Sequence, residues 1–495
     1  MQNINRLAIA NRGEVAVRII RACQELGIES VLLHSEPDTY TRAYRLADKT
    51  ICIGGAASSD SYLNIQATIN GAIAGGADAI HPGFGFLSEN SEFASECEKA
   101  GIIFVGPSPK AIADMGDKVT AREIVSKAGV PVVPGYQGED QSQIKLAAEA
   151  EKIGFPLIIK AANGGGGRGI KVAMTSGDFA EQLESAKRES KSAFGSDRVF
   201  LEKYIQDGKH IEFQVFGDSH GNYVHLFERE CSVQRRHQKI IEEAQSPSLN
   251  PEIREQMSKS AVEAARAVDY TGAGTVEFLF KGGKYYFLEM NTRLQVEHPV
   301  TEEVLGVDLV KAQIQVAQGG KLPWEQEDLK PRGHAIECRL YAEDPFMNGV
   351  PSTGKILGLK WPEGRGRRFE YGFDADDIVS SYYDSMIAKI IVFDETREKC
   401  IDKTLKVLEE SVVFGVKTNI EYLKAILTHD DFRSGKMTTG FIAKYFPEGL
   451  KESENSKETL QFIEQAQREL SSSVFGPSTD RASGARAFLE GWRNT

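Results

Sequence analysis

Cysteine is scarce and badly spaced for metal or redox work: six residues in 495, none in a Cys-x-x-Cys pair. The spacing disfavours a zinc site or a disulfide framework, and reduced core or surface thiols are expected. Cys231 lies close to basic residues, which leaves a reactive thiolate open beside the plainer reading of a core thiol. Long apolar runs are missing too. None approaches the ~20 residues that span a bilayer, and the opening MQNINRLAIANRGE lacks a charged-then-apolar signal with a cleavage site. A cytoplasmic protein without membrane contact is expected. The net charge of −12 is spread without a long run of one sign, which argues against a nucleic-acid surface, so any anionic ligand must be met by local basic groups. The dinucleotide fingerprint is absent from the first turn, because Asn11-Arg12-Gly13-Glu14 has only one glycine. What remains, 41% hydrophobic and 26% charged residues, is the make-up of an ordinary globular chain long enough for two or three domains.

The first hundred residues alternate strand and helix. RLAIA is followed by an amphipathic stretch, VAVRIIRACQEL, that ends at Gly27; SVLLHS, ADAIHPG and IIFVGPS then read as further strands. This is the pattern of a parallel sheet wrapped by helices. Met115 to Lys127 reads as one helix closed by Gly129, with Pro131 and Pro134 marking a boundary. Beyond it, Phe155 to Lys171 reads as strand, glycine loop, strand, and Lys203 to Glu230 as a hairpin turning at Asp218 to Asn222. The middle of the chain is therefore antiparallel strands plus helices, an α+β arrangement after an α/β one. After about Phe446 the sequence turns polar and serine-rich with one amphipathic stretch, LQFIEQAQREL, and reads as a linker or docking segment.

The densest chemistry lies in EMNTRLQVEH, Glu289 to His298. The preceding TVEFLFKGGKYYFLEMN reads as a hairpin turning at Gly282-Gly283, with Glu277 on one arm and Glu289 and Asn291 on one face of the other. Two carboxylates and an amide are hard oxygen donors suited to Mg²⁺ or Mn²⁺ held with substrate phosphates. A solvated strand face is the alternative. Geometry separates the two: a strict two-residue turn sets Glu277 opposite Leu288 and sends Glu289 to the other face, so shared ligation requires a three-residue turn or a bulge.

Other clusters carry charge in useful places. Lys160 precedes the glycine run Gly164 to Gly167, Arg168 and Gly169, where backbone amides can approach phosphate, although no Gly-Lys-Ser/Thr of a Walker loop ends it. Glu202 and Lys203 end an apolar strand where the carboxylate and backbone can read an adenine amino group. CSVQRRHQK brings Gln234, Arg235, Arg236, His237 and Lys239 together, a set suited to a polyanion or a developing phosphate charge, although by itself the run reads more readily as a solvated loop. CRLYAEDP offers Arg339, whose guanidinium fork suits an oxyanion or an enolate.

In this order, Lys118 in MGDK, Lys160 before the glycine run, Glu202-Lys203, His210, RRHQK, Glu277, EMNTRLQVEHPVTE and Arg339, with HPGFGFLSEN upstream, the chain resembles the biotin carboxylases of the ATP-grasp superfamily over residues 4 to 446. The resemblance implies a Rossmann-like N-terminal domain over 1–114, an ATP-grasp domain over 115–330 with a mobile lid near 132–204, and a C-terminal biotin carboxylase domain over 331–446, followed by a polar tail over 447–495. It implies ATP contacts from Lys118, Lys160, Gly165, Gly166, Gly167, Glu202, Lys203, His210, Gln234, His237 and Leu279. Two Mg²⁺ or Mn²⁺ ions would be held by Glu277, Glu289 and Asn291, and bicarbonate by Lys239, Arg293, Gln295 and the Val296 backbone. Glu297 would be the general base and Arg339 the group that stabilises a biotin enolate. Two positions depart from the family pattern: Phe84 stands where tyrosine is common, and Asn163 where a small residue is common.

The Met-Lys-Met context of a biotin-accepting domain is absent, and Lys436-Met437 lacks its flanks. Biotin is thus expected on a separate carrier protein or domain, with a carboxyltransferase as further partner and a homodimer or larger assembly. YAEDPFMNGVPSTGKI and DDFRSGKMTTGFI resemble the corresponding segments of acyl-CoA carboxylases acting on propionyl-CoA or methylcrotonyl-CoA more than those of the bacterial acetyl-CoA enzyme. Another ATP-grasp ligase, acting on a carbamate, an amino acid or a purine precursor, is the competing enzyme reading; a nucleotide-binding scaffold is the non-catalytic one.

Overall fold

The computed structural model describes residues 3–161, 170–236, 238–451 and 465. Gly165, Gly166, Gly167, Asn163 and His237 lie outside the described residues, as does nearly all of the amphipathic tail stretch.

The N-terminal alternation folds as expected. Strands Arg6–Ile9, Glu29–Ser35, Lys49–Gly54, Ala79–His81 and Ile103–Phe104 form one parallel sheet, with Arg6–Ile9 at its centre. Helix Gly13–Leu26 buries Val15, Val17, Ile19, Ile20 and Cys23 against it. Gly27 ends that helix in the left-handed conformation, its N–H donating to Gln24 O while Ile28 N donates to Cys23 O. Both orphan carbonyls are thus satisfied, and the apolar Ile28 is turned into the core. The Lys49–Gly54 strand carries little pattern in the sequence, because it lies at the sheet edge and only Ile53 is buried.

One expectation fails at Asp117. The predicted single helix over Met115 to Lys127 is two, Pro109–Gly116 and Lys118–Lys127. The Asp117 carboxylate accepts from Thr120 N at 2.8 Å, capping the second helix. Lys118 therefore stands at a helix start rather than in mid-helix.

A four-stranded sheet of Gly135–Tyr136, Val199–Lys203, Leu157–Ala161 and Ile170–Ala173 packs on helices Gln143–Ile153 and Ser176–Phe194 around its own small core. The largest sheet has eight strands, running Lys284–Asn291, Gly272–Lys281, Lys209–Gly217, Tyr223–Arg235, Gln238–Ala244, His334–Tyr341, Met386–Asp394 and Arg367–Tyr371. Pairing of Gln238–Ala244 with His334–Tyr341 carries it unbroken across residues 330 and 331. The Lys209–Gly217 and Tyr223–Arg235 strands pair around the predicted turn.

The hairpin over 272–291 answers the register question. Lys281 pairs with Lys284, and Gly282 and Gly283 both take positive φ, as a two-residue turn of this hand requires. Phe278 still pairs with Phe287, yet Glu277 pairs with Glu289, so Leu288 is the extra residue of a β-bulge.

Residues just past Phe446 remain packed: Leu450 N donates to Pro345 O and its side chain lies on the C-terminal core. No helix among the described residues is long and apolar enough to cross a membrane.

Candidate functional site

Strand pairing builds a charged row before any ligand is considered. Arg229 faces Glu212, Glu212 faces Glu277 and Glu277 faces Glu289 across four adjacent strands. Carboxylates directly opposed in a sheet repel one another, so the row stands only with cations placed among it. Arg229 is fully buried and donates to Glu212, to Gln214 Oε1 at 2.9 Å, and to the Thr275 and Thr301 hydroxyls at 3.0 Å each. Lys239 reaches Glu212, Glu277 at 3.0 Å and Glu297 at 2.6 Å. His210 Nε2 is 2.9 Å from Glu277, and its Nδ1 is 3.0 Å from Gln234 Nε2.

Glu297 has no exposed surface, and two cations flank it, Lys239 on one oxygen and Arg339 at 2.9 Å on the other. Arg339 also donates to Glu242 at 2.6 Å. Burial by itself raises a carboxyl, yet Lys239, Arg339 and Arg229 outweigh it and hold Glu297 well below its ordinary range. Glu277 follows the same logic, its burial overcome by Lys239 and His210. Glu242 goes the other way: burial dominates over Arg339 and lifts it to about 7.

Glu289 is more open, with Lys118 3.8 Å away, and both burial and the charge of Glu277 raise its carboxyl. Asn291 Nδ2 donates to Glu277 at 2.9 Å. Two opposed carboxylates and an adjoining amide, one carboxylate raised by the other's charge, form a donor set that a hard divalent cation fits. Arg293 is held by Glu89 at 2.8 Å, Gln295 at 3.0 Å and Asn291 at 3.0 Å. Gln295 in turn donates to Glu277 at 3.3 Å.

These groups line a cavity of about 930 Å³ between the eight-stranded and four-stranded sheets and the N-terminal domain. Lys118, Lys160, Glu202, His210, Gln234, Lys239, Glu277, Glu289, Asn291, Arg293, Gln295, Val296 and Arg339 all reach it, while Glu297 lies just behind Lys239. Lys160 is paired with Glu202, which also meets Arg122. Burial, with Lys118 and Arg122 nearby, brings Lys160 down to about 8.

Lys203 and Leu279 are not among the lining residues: Lys203 Nζ donates to Phe155 O at 2.9 Å, and Leu279 packs against Gly208. Arg235 is drawn away by Glu343. The thiolate reading of Cys231 is corrected. The thiol is buried, and burial followed by the negative Glu212 pushes it far up, so it stays protonated.

Several residues of the site went unread in the sequence. Glu212 is legible in retrospect, since His210, Glu212 and Gln214 alternate in HIEFQVFG, the period of one strand face. Glu242 and Arg229 carry no such signal, because their roles arise from pairing with distant strands. Asn11, Arg12, Gly13 and Glu14 also reach the cavity from the first turn. Asn11 Nδ2 donates to Pro82 O and Phe84 O, both at 2.7 Å, and thereby fixes the loop that presents Phe84.

Comparison with known proteins agrees from residue 3 to residue 444. Residues 3–112 match the family "Biotin carboxylase, N-terminal domain", 117–325 "Carbamoyl-phosphate synthase L chain, ATP binding domain", and 337–444 "Biotin carboxylase C-terminal domain". Biotin carboxylase 1 of Bacillus subtilis is 50% identical over 444 residues, 89% of this chain and 99% of that protein. The α chain of the mitochondrial methylcrotonoyl-CoA carboxylase of Dictyostelium discoideum is 50% identical over 441 residues, but these cover 63% of it against 89% of this chain. A pyruvate carboxylase polypeptide of Methanothermobacter thermautotrophicus is 48% identical over 441 residues, 89% of this chain and 90% of that one. Among solved structures, the biotin carboxylase-β,γ-ATP complex from Campylobacter jejuni superposes with a TM-score of 0.85 at 45% identity, covering 90% of this chain and 99% of that one. The biotin carboxylase domain dimer of Hydrogenobacter thermophilus 2-oxoglutarate carboxylase, with MgADP, ADP and bicarbonate, gives 0.84 at 44% identity, covering 92% and 100%. A parallel N-terminal sheet, a central ATP-grasp unit and a buried glutamate between a lysine and an arginine thus meet in one chain, which belongs to the biotin carboxylase family.

Proposed function

We propose that the protein carboxylates biotin on a carrier, using ATP and bicarbonate by way of carboxyphosphate, as the first half-reaction of a biotin-dependent carboxylase. The observation that carries this reading is Glu297 flanked by Lys239 and Arg339 just behind a cavity that Lys118 and Lys160 also line. Glu297 takes the bicarbonate proton, and the freed oxygen attacks the γ-phosphorus. Lys239, Arg293, Gln295 and the Val296 backbone hold bicarbonate. Carboxyphosphate breaks down to CO₂ and phosphate, the phosphate deprotonates biotin N1′, and Arg339 stabilises the enolate.

A base works best with a pKa near the operating pH, whereas Glu297 in the free site sits well below it. Bicarbonate on Lys239 gives that cation a new negative partner and releases Glu297 toward the range in which it holds a proton. Glu277, Glu289 and Asn291 would hold Mg²⁺ or Mn²⁺, two ions in all, which would supply positive charge to the transferring phosphoryl group. Lys118, Lys160, Glu202, His210 and Gln234 of the cavity lining, with Lys203 and Leu279 from outside that lining and His237 and Gly165 to Gly167, make up the ATP site, in the division 1–114, 115–330, 331–446 and tail 447–495.

The acceptor is of acyl-CoA type, a reading supported by the YAEDPFMNGVPSTGKI and DDFRSGKMTTGFI segments. The carrier and the carboxyltransferase are separate from these residues, and the working form is at least a dimer, as the Hydrogenobacter relative is. Six free thiols suit a reducing, cytoplasmic setting. The test is ATP cleavage in bicarbonate with and without free biotin. Stimulation by biotin is expected, and its absence sinks the reading. Co-purification of a carboxyltransferase, assayed on acyl-CoA, pyruvate and 2-oxoglutarate, tests the acceptor class.

A further inference from the structure

Lys389 is a lysine with no exposed surface in the middle of the apolar strand MIAKIIVFD. A buried ammonium costs several kcal/mol unless it is paired, so its partners state what it is for. Its Nζ donates to Val296 O at 2.8 Å and stands 3.2 Å from the Glu14 carboxylate, which is itself buried. The Phe84 ring lies 5.9 Å away. Three distant parts of the chain, the first turn after Arg6–Ile9, the loop leading into Glu297 and the strand of Lys389, therefore meet at one charge. In strand register Lys389 faces Arg339, which grips Glu297 from the other side.

We propose that Lys389 is a positioning residue for the bicarbonate loop: by holding the Val296 carbonyl from behind, it aims the Val296 backbone and the Glu297 carboxylate into the cavity, with Glu14 as its counter-charge. The proposal rests on the assignment of Val296 and Glu297 given under the proposed function. Lys389 touches neither bicarbonate nor ATP and acts through the loop alone.

Replacing Lys389 by itself strands the Glu14 carboxylate, so the informative variant is the double E14Q/K389M, with K389M and E14Q alongside. In the full-length double variant the KM for bicarbonate is expected to rise about tenfold or more, the loss that follows removal of a hydrogen bond from a charged donor. The KM for ATP should stay within about twofold. Hydrogen exchange of peptides spanning 292–298, measured without substrate, should quicken about tenfold while those of the His334–Tyr341 strand hold. A double variant with wild-type bicarbonate KM and unchanged protection over 292–298 overturns the proposal, as does an equal rise in both KM values. Exchange is read without turnover, so it judges Lys389 even if the wild type shows no bicarbonate-dependent ATP cleavage, a result that fails the proposed function instead.

Discussion

Glu297, Arg339 and Lys160 each make a separable prediction. Glu297→Gln keeps the shape and loses the base: carboxylation should fall about 10²–10⁴-fold, while ATP affinity, measured by calorimetry, stays within about twofold. Turnover like that of the wild type would remove Glu297 from the role. Arg339→Ala should uncouple the two halves, leaving bicarbonate-dependent ATP cleavage largely intact and abolishing transfer to biotin; equal loss of both contradicts the enolate role. Lys160 carries the pH signature. Burial first, then Lys118 and Arg122, lowers it to about 8, so its charge is present below that pH and lost above it. The affinity of the free enzyme for ATP should therefore weaken as pH rises through about 8, and Lys160→Arg, which stays charged, should flatten that profile.

At the scale of elements, Asp117 links a local cap to the cavity. Asp117→Ala removes the acceptor of Thr120 N and should cost about 1 kcal/mol of stability. Because Lys118 is the first residue of the capped helix, the KM for ATP should rise about threefold with kcat unchanged; steady-state kinetics with thermal melts checks both. The same element marks where sequence reading stops. The apolar period runs through Met115 to Lys127, and nothing in it announces that Asp117 takes extended backbone and starts a new helix. The hairpin shows the reverse: its alternation and glycine turn were legible, and demanding that Glu277 and Glu289 meet was enough to require an irregularity. Which residue would bulge was not legible, since Leu288 is as good a strand residue as its neighbours. Arg229 and Glu242 stayed hidden because a strand's partners are set by topology, and a single sequence carries no record of who lies opposite whom.

At the scale of the molecule, the sheet shared across residues 330 and 331 makes the central and C-terminal parts one folding unit. A truncated chain ending at residue 330 would expose the Gln238–Ala244 edge and its apolar Ile240 and Ile241, so it should lack a cooperative melt and aggregate. A sharp thermal transition near that of the full chain would contradict this. The order of domains and the family were legible because local periodicity and short motifs carry them; the joining of the sheet was not.

That continuous sheet also decides which distances turnover can change. Lys239, Glu277 and Arg339 are rooted in hydrogen-bonded strands of one sheet, and Glu297 is bonded to both Lys239 and Arg339. Lys160 and Glu202 belong to a different sheet. On the proposed function, a shift of the four-stranded sheet against the eight-stranded one would alter the hold on the phosphates and leave the geometry of proton removal as it stands.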